Sequence, residues 1–204
     1  MTGADLPGAG EGGGAGATRA RPVLLARAAA GVAALGLGGW LLACNGLVRG
    51  LEARVTVLLL RVVLGLPALP YRAADDVVFF RTGPEAWAGI EITSKCSVVV
   101  FLVPVAVGTG GLLLAQRLAA WRVAAAGVAA GALMIGVNFV RILVIVAARC
   151  IGGQQGFEWA HTQLGTWLTI AGTAAAGFVF VRIGTGGGPR PLRTGGISAC
   201  LPSC

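Results

Sequence analysis

The sequence predicts an all-α fold: a polytopic membrane helical bundle of about four transmembrane helices, N-in and C-in, with one interfacial amphipathic segment. Three observations carry that prediction. Apolar residues make up 56% of the 204-residue chain and charged residues only 12%, far from the balance of a soluble domain. Mean hydropathy is +0.82. The apolar residues also gather into runs close to the ~20 residues that cross a ~30 Å hydrocarbon core as a helix. A formal charge of +8 does not point to nucleic acid, because the basic residues flank the apolar runs instead of forming one reading face.

Residues 1–22 are Gly/Ala-rich with little to bury, and a disordered tail is expected there. The first apolar run is 23–43. Residues 51–67, LEARVTVLLLRVVLGLP, carry Arg54 and Arg61 on an apolar background; they read as a helix lying in the membrane interface, or else as a re-entrant segment. Further apolar runs follow at 97–115, 123–148 and 161–183, and a basic, Gly/Pro-rich cytoplasmic tail, expected to be disordered, closes the chain at 184–204. One membrane-embedded domain, 23–183, is therefore expected between two tails.

Charge sets the sidedness. With both termini inside, the cytoplasmic side collects Arg19, Arg21, Arg27, Arg117, Arg122, Arg182, Arg190 and Arg193 against Asp5 and Glu11. The other side holds Glu52, Asp75, Asp76, Glu85, Glu91 and Glu158 beside its basic residues. The short QRLAAWR loop is the clearest positive-inside signal. Segment 46–95 and a loop at 149–160 then face outward.

That orientation brings three chemically capable residues toward one outer surface. Cys96 opens the second run and His161, the only histidine, opens the fourth. The 18 residues between Arg122 and Arg141 rise about 27–29 Å at ~1.5 Å each, so Arg141 lies near the outer interface. Each residue has two readings. Arg141 either snorkels to headgroups or faces a polar cavity, the reading that Asn138 at i−3 favours. His161 belongs to an aromatic belt with Trp159 and Trp167, or serves as a neutral base at a helix N-terminus, oriented by Glu158. Cys96 is a small packing residue, or a thiolate favoured by Lys95 and a helix start that Thr93 or Ser94 caps. Pro104 should kink the second run.

Absences narrow the chemistry. There is no HExxH, no Asp inside an apolar run, no GxSxG and no phosphate-loop Lys-Ser/Thr. No cofactor or metal is expected, and cysteine chemistry is what remains for an enzyme. LLAC at 41–44 matches a lipoprotein-type cleavage box, a Cys44–Cys150 disulfide stays open, and Cys200 and Cys204 read as reduced tail residues.

Taken together, CSVVVF from Cys96, NFVRI with Asn138 and Arg141, and HTQLG from His161 resemble the exosortase/archaeosortase family over about residues 90–183. The chain would be a compact bacterial member. Many members have more spans, and Val98 stands where a small residue is usual. The resemblance implies a membrane cysteine transpeptidase or protease with its site facing outward from the plasma membrane. Its partners would be lipids and a membrane-anchored protein ending in a sorting motif, a hydrophobic helix and a basic cluster. It implies Cys96 as nucleophile, His161 as general acid/base and Arg141 as oxyanion stabiliser, with Asn138 holding Arg141. The alternative is a non-catalytic membrane protein, a transporter subunit or assembly partner, using Arg141 and His161 as polar contacts. A thiol-redox role lacks a CxxC. Gly127 and Gly131 form a GxxxG that either packs within the chain or receives another helix.

Overall fold

The computed structural model describes residues 14–71, 76–94 and 96–186, with side chains from Pro22 onward. Lys95 and most of both tails lie outside the described residues. In order the elements are α1 (Gly14–Ala43), α2 (Asn45–Val63), β1 (Ala68–Pro70), β2 (Val77–Arg81), β3 (Trp87–Glu91), α3 (Val99–Ala115), α4 (Ala120–Trp159), a π-helical turn (Ala160–Leu164) and α5 (Gly165–Thr185). The chain is mostly helical, and each apolar run falls on a helix. One boundary differs from expectation: α1 begins at Gly14, inside the segment expected as a tail. Alanine and arginine are good helix formers, so a helix fixed by its apolar run extends backward through them.

Two helical stretches are long and apolar enough to cross a membrane, Pro22–Ala43 and Ala120–Thr185, while Val99–Ala115 is a shorter apolar helix. The second stretch has 66 residues, about 100 Å of helix at ~1.5 Å per residue, and it does not run straight. It reverses inside α4 at Gly153, whose φ of 59° and ψ of −144° suit glycine alone. Gly156 then comes against the Ala148 carbonyl with no room for a Cβ. The loop expected at 149–160 is thus a one-residue reversal between helices. The returning helix begins near residue 154, which puts His161 well inside it and not at its start.

The apolar helices pack as an open row: α1 on α3, α3 on α4, and α4 on α5. Glycines set the close approaches. A Cβ on Gly110 would lie 2.9 Å from the Gly31 carbonyl, and one on Gly172 would lie 2.5 Å from Val137. Gly127 packs on Thr109 and Gly131 near Leu102, so the GxxxG of α4 is used within the chain, against α3. Arg27 Nε donates to the Leu113 carbonyl at 2.8 Å, satisfying an orphan acceptor in the last turn of α3. Pro104 is carried inside α3. Because α3 and α5 both pack on α4, an apolar groove of about 310 Å³ opens between them, from Val100 and Pro104 to Phe180 and Val181.

The described residues of segment 46–95 build a separate layer of α2 and three strands, so this segment is not helix alone. β1, β2 and β3 form an antiparallel sheet in that order, with Ala68 opposite Phe80 and Phe79 opposite Gly89. The β-branched and aromatic run VVFFR favours the pleated middle strand. Helix α2 ends earlier than expected, before Gly65 at φ 64°. Ala53, Val57 and Leu60 of α2, Val78 and Phe80 of the sheet, Ile92, and Ile142 and Val146 of α4 make one buried cluster. That cluster holds Ile92, just before the Cys96 turn, on the part of α4 that carries Arg141. Cys44, Cys96 and Cys150 are all free thiols; Cys200 and Cys204 lie outside the described residues.

If the Gly153 reversal holds α4 and α5 together, Gly153→Ala should cost about 1–3 kcal/mol, seen as a lower melting temperature in detergent. The neighbouring Gly152→Ala, with open space around its Cβ, should change it little.

Candidate active site

Cys96 lies in the turn that enters α3, three residues before the helix begins at Val99. The Thr93 carbonyl organises this turn by accepting the Cys96 and Ser97 N–H groups at 2.9 and 3.1 Å. The expected cap from the Thr93 or Ser94 side chain is absent, since no side chain of the N-cap residue, Val98, serves. Two other groups reach the free N–H donors at this helix start. Ser97 Oγ accepts the Val99 N–H at 3.3 Å, and Glu52 Oε1, from α2, accepts the Val98 N–H at 2.8 Å.

Arg141 reaches Cys96 directly, Nη2 donating to Sγ at 3.0 Å. The arginine is only 8% exposed, so it is not snorkelling to the surface. The one ion pair among the described residues joins Arg49 and Asp76, which leaves the Cys96 sulfur as the nearest anion-forming group to this guanidinium. A guanidinium so placed binds a sulfur anion far better than a neutral thiol. Arg141 owes its course partly to Gly165, where a Cβ would sit 3.3 Å from Arg141 Nε.

Asn138 does not hold Arg141. Its Nδ2 donates to Glu52 Oε1 at 2.9 Å, because the i−3 spacing turns both side chains toward the layer of α2 and the sheet, where Glu52 is the available acceptor. Ser97 Oγ donates to the other oxygen, Oε2, at 2.7 Å. Glu52, Ser97 and Asn138 are 3%, 0% and 2% exposed, a buried polar knot among α2, the Cys96 turn and α4. Burial pushes the Glu52 carboxyl up from its ordinary value, against the opposite pull of Ser97, Val98, Asn138 and the Arg141 charge.

His161 lies across a cavity of about 60 Å³ whose wall also includes Cys96, Arg141, Glu91 and Phe157. The three residues singled out from sequence therefore border one space. His161 is exposed and stacks on Phe157, with ring centroids 5.6 Å apart and planes 6° from parallel. Among the described residues it has no hydrogen bond to Cys96. Glu158 does not orient it, since Glu158 Oε1 takes a bond from Gln154 Nε2 at 3.0 Å. The dipole argument fails too, because the helix starts well before His161. Its ring is instead presented by the π-helical turn, a feature frequent at functional sites.

Sequence reading missed Glu52, Ser97, Gly165 and Phe157. Glu52 left a trace: it shares the helical stripe of Thr56 and Leu60, a lone carboxylate on the face that is buried. No family model, curated protein or solved structure matches this chain.

Two predictions follow from this geometry. Gly165→Leu should push the guanidinium off Cys96 and slow alkylation of that thiol by iodoacetate several-fold, with Gly165→Ala in between. The second concerns Glu52. A carboxyl whose folded value is raised contributes most below its unfolded value, near 4.5, and loses that contribution as pH climbs through the folded value. Relative to Glu52→Gln, the native protein should therefore lose melting temperature as pH rises above about 4.5.

Proposed function

We propose that this chain is a membrane cysteine transpeptidase or protease of the exosortase kind. It would cross the plasma membrane four times, by α1, α3, α4 and α5, and process C-terminal sorting signals of secreted proteins on the outer face. The observation that carries the reading is the 3.0 Å contact of Arg141 Nη2 with Cys96 Sγ, on the wall of a cavity shared with His161. The distribution of arginines about the apolar runs supports the N-in, C-in orientation.

The residues allow a balanced sequence of steps. The Cys96 thiol gives its proton to His161, and the sulfur attacks the scissile carbonyl, forming an S–C bond. Charge moves from sulfur to the carbonyl oxygen, a short shift that keeps it within reach of one guanidinium. Collapse of the tetrahedral species breaks the C–N bond, and the leaving amine takes the proton from His161. An acceptor amine or water then attacks the thioester and gives a proton to His161; the C–S bond breaks and His161 returns that proton to sulfur, restoring the thiol. His161 swings from its stack on Phe157 to do this. The substrate's apolar helix would lie along the groove between α3 and α5, whose lining begins on α3 at Val100, four residues after Cys96.

The non-catalytic alternative requires Arg141 and His161 to meet another protein. Arg141 is buried and already engaged within the chain, which favours the enzymatic reading. Cys96→Ala, Arg141→Ala and His161→Ala should each abolish release of the substrate's C-terminal segment with membrane abundance unchanged, followed by immunoblotting of the surface proteins. Normal processing in Cys96→Ala cells would end this reading, and a graded assembly defect confined to Arg141→Ala would favour the alternative.

A further inference from the structure

The buried carboxylate of Glu52 takes no part in the steps above, yet it sits where the two halves of the site are joined. Ser97 follows Cys96 directly, and Asn138 lies one turn before Arg141 on the same helical face. Glu52 holds both, with Ser97 on Oε2 at 2.7 Å and Asn138 on Oε1 at 2.9 Å. It also caps α3 through the Val98 N–H at 2.8 Å. A second rung, Ser97–Glu52–Asn138, thus runs beside the first, Cys96–Arg141. We infer that Glu52 is a positioning residue that fixes the Cys96 turn against Arg141.

Three physical points support this assignment, which rests on Cys96 being the reactive residue. A turn with unsatisfied N–H donors has several conformations of similar energy, and a carboxylate supplied from another element selects one of them. A carboxylate is costly to bury when an apolar packing residue would serve, so a merely space-filling role does not account for Glu52. Finally, α2 carries Glu52 on the same buried face as Ala53, Thr56 and Leu60, so the packing of α2 sets the carboxylate's position.

The test reads Cys96 itself and needs no substrate. The full chain carrying Cys44→Ser, Cys150→Ser, Cys200→Ser and Cys204→Ser is placed in lipid nanodiscs. Cys96 is then alkylated with iodoacetate and, separately, with iodoacetamide. The anionic reagent is drawn to Arg141 and the neutral one is not, so the ratio of the two rates reports whether the thiol and the guanidinium are together. General loosening of the fold raises both rates and does not preserve a high ratio.

Glu52→Ala should lower the ratio to that of Arg141→Ala, a change of about tenfold for loss of one charge-assisted contact. Glu52→Asp keeps the charge but withdraws it by about one bond length and should fall similarly, which keeps the test available if the alanine variant does not fold. Glu52→Gln keeps acceptor and reach and should restore most of the ratio. A native ratio in Glu52→Ala or Glu52→Asp would overturn the assignment, and so would a glutamine variant as low as alanine. The peptidase reading fails separately, through normal processing by Cys96→Ala.

Discussion

A guanidinium buried in a helical protein has to be answered by another group, and much of this structure follows from how Arg141 is answered. Leaving such a charge unpaired in a low-dielectric setting costs several kcal/mol. Here its Nη2 meets the Cys96 sulfur at 3.0 Å, while its Nε has no partner among the described residues. Among the described residues, no carboxylate forms an ion pair with this arginine. In the peptidase reading proposed above it would meet negative charge developing at sulfur and then at a carbonyl oxygen, the condition for electrostatic stabilisation without reorganisation.

Keeping that contact requires two chain segments 45 residues apart to hold a fixed separation. The layer of α2 and the sheet does this. Helix α2 and the three-stranded sheet share a buried core with α4 at Ile142 and Val146, and Ile92 delivers the chain into the Cys96 turn. The glycines complete the arrangement. Gly153 folds the long helix back so that His161 faces the cavity, and Gly165 leaves room for the Arg141 side chain on its way to the thiol.

The helices were readable because long apolar runs admit few other structures, and the observed elements Val99–Ala115 and Gly165–Thr185 lie close to the runs that foretold them. Arg141 and Cys96 were brought toward one surface by helical rise taken together with the orientation read from the arginines. What was not readable depends on partners from distant segments. Three short strands with one VVFFR run give too little alternation to stand out against apolar neighbours. Asn138 and Arg141 share a face, but spacing says nothing of which partner each will meet. His161 was misplaced within its helix because a single glycine in an unusual conformation does the work of a loop.

The central claim is that Cys96 becomes acylated. The most direct measurement is mass spectrometry of the protein purified from its own cells after rapid acid quenching, which preserves thioesters. The account requires a peptide adduct on the fragment containing Cys96, removed by neutral hydroxylamine and missing when Cys96 is replaced by alanine. An unmodified Cys96 under conditions where surface proteins are being processed, or a thioester found only at Cys44 or Cys150, would contradict it.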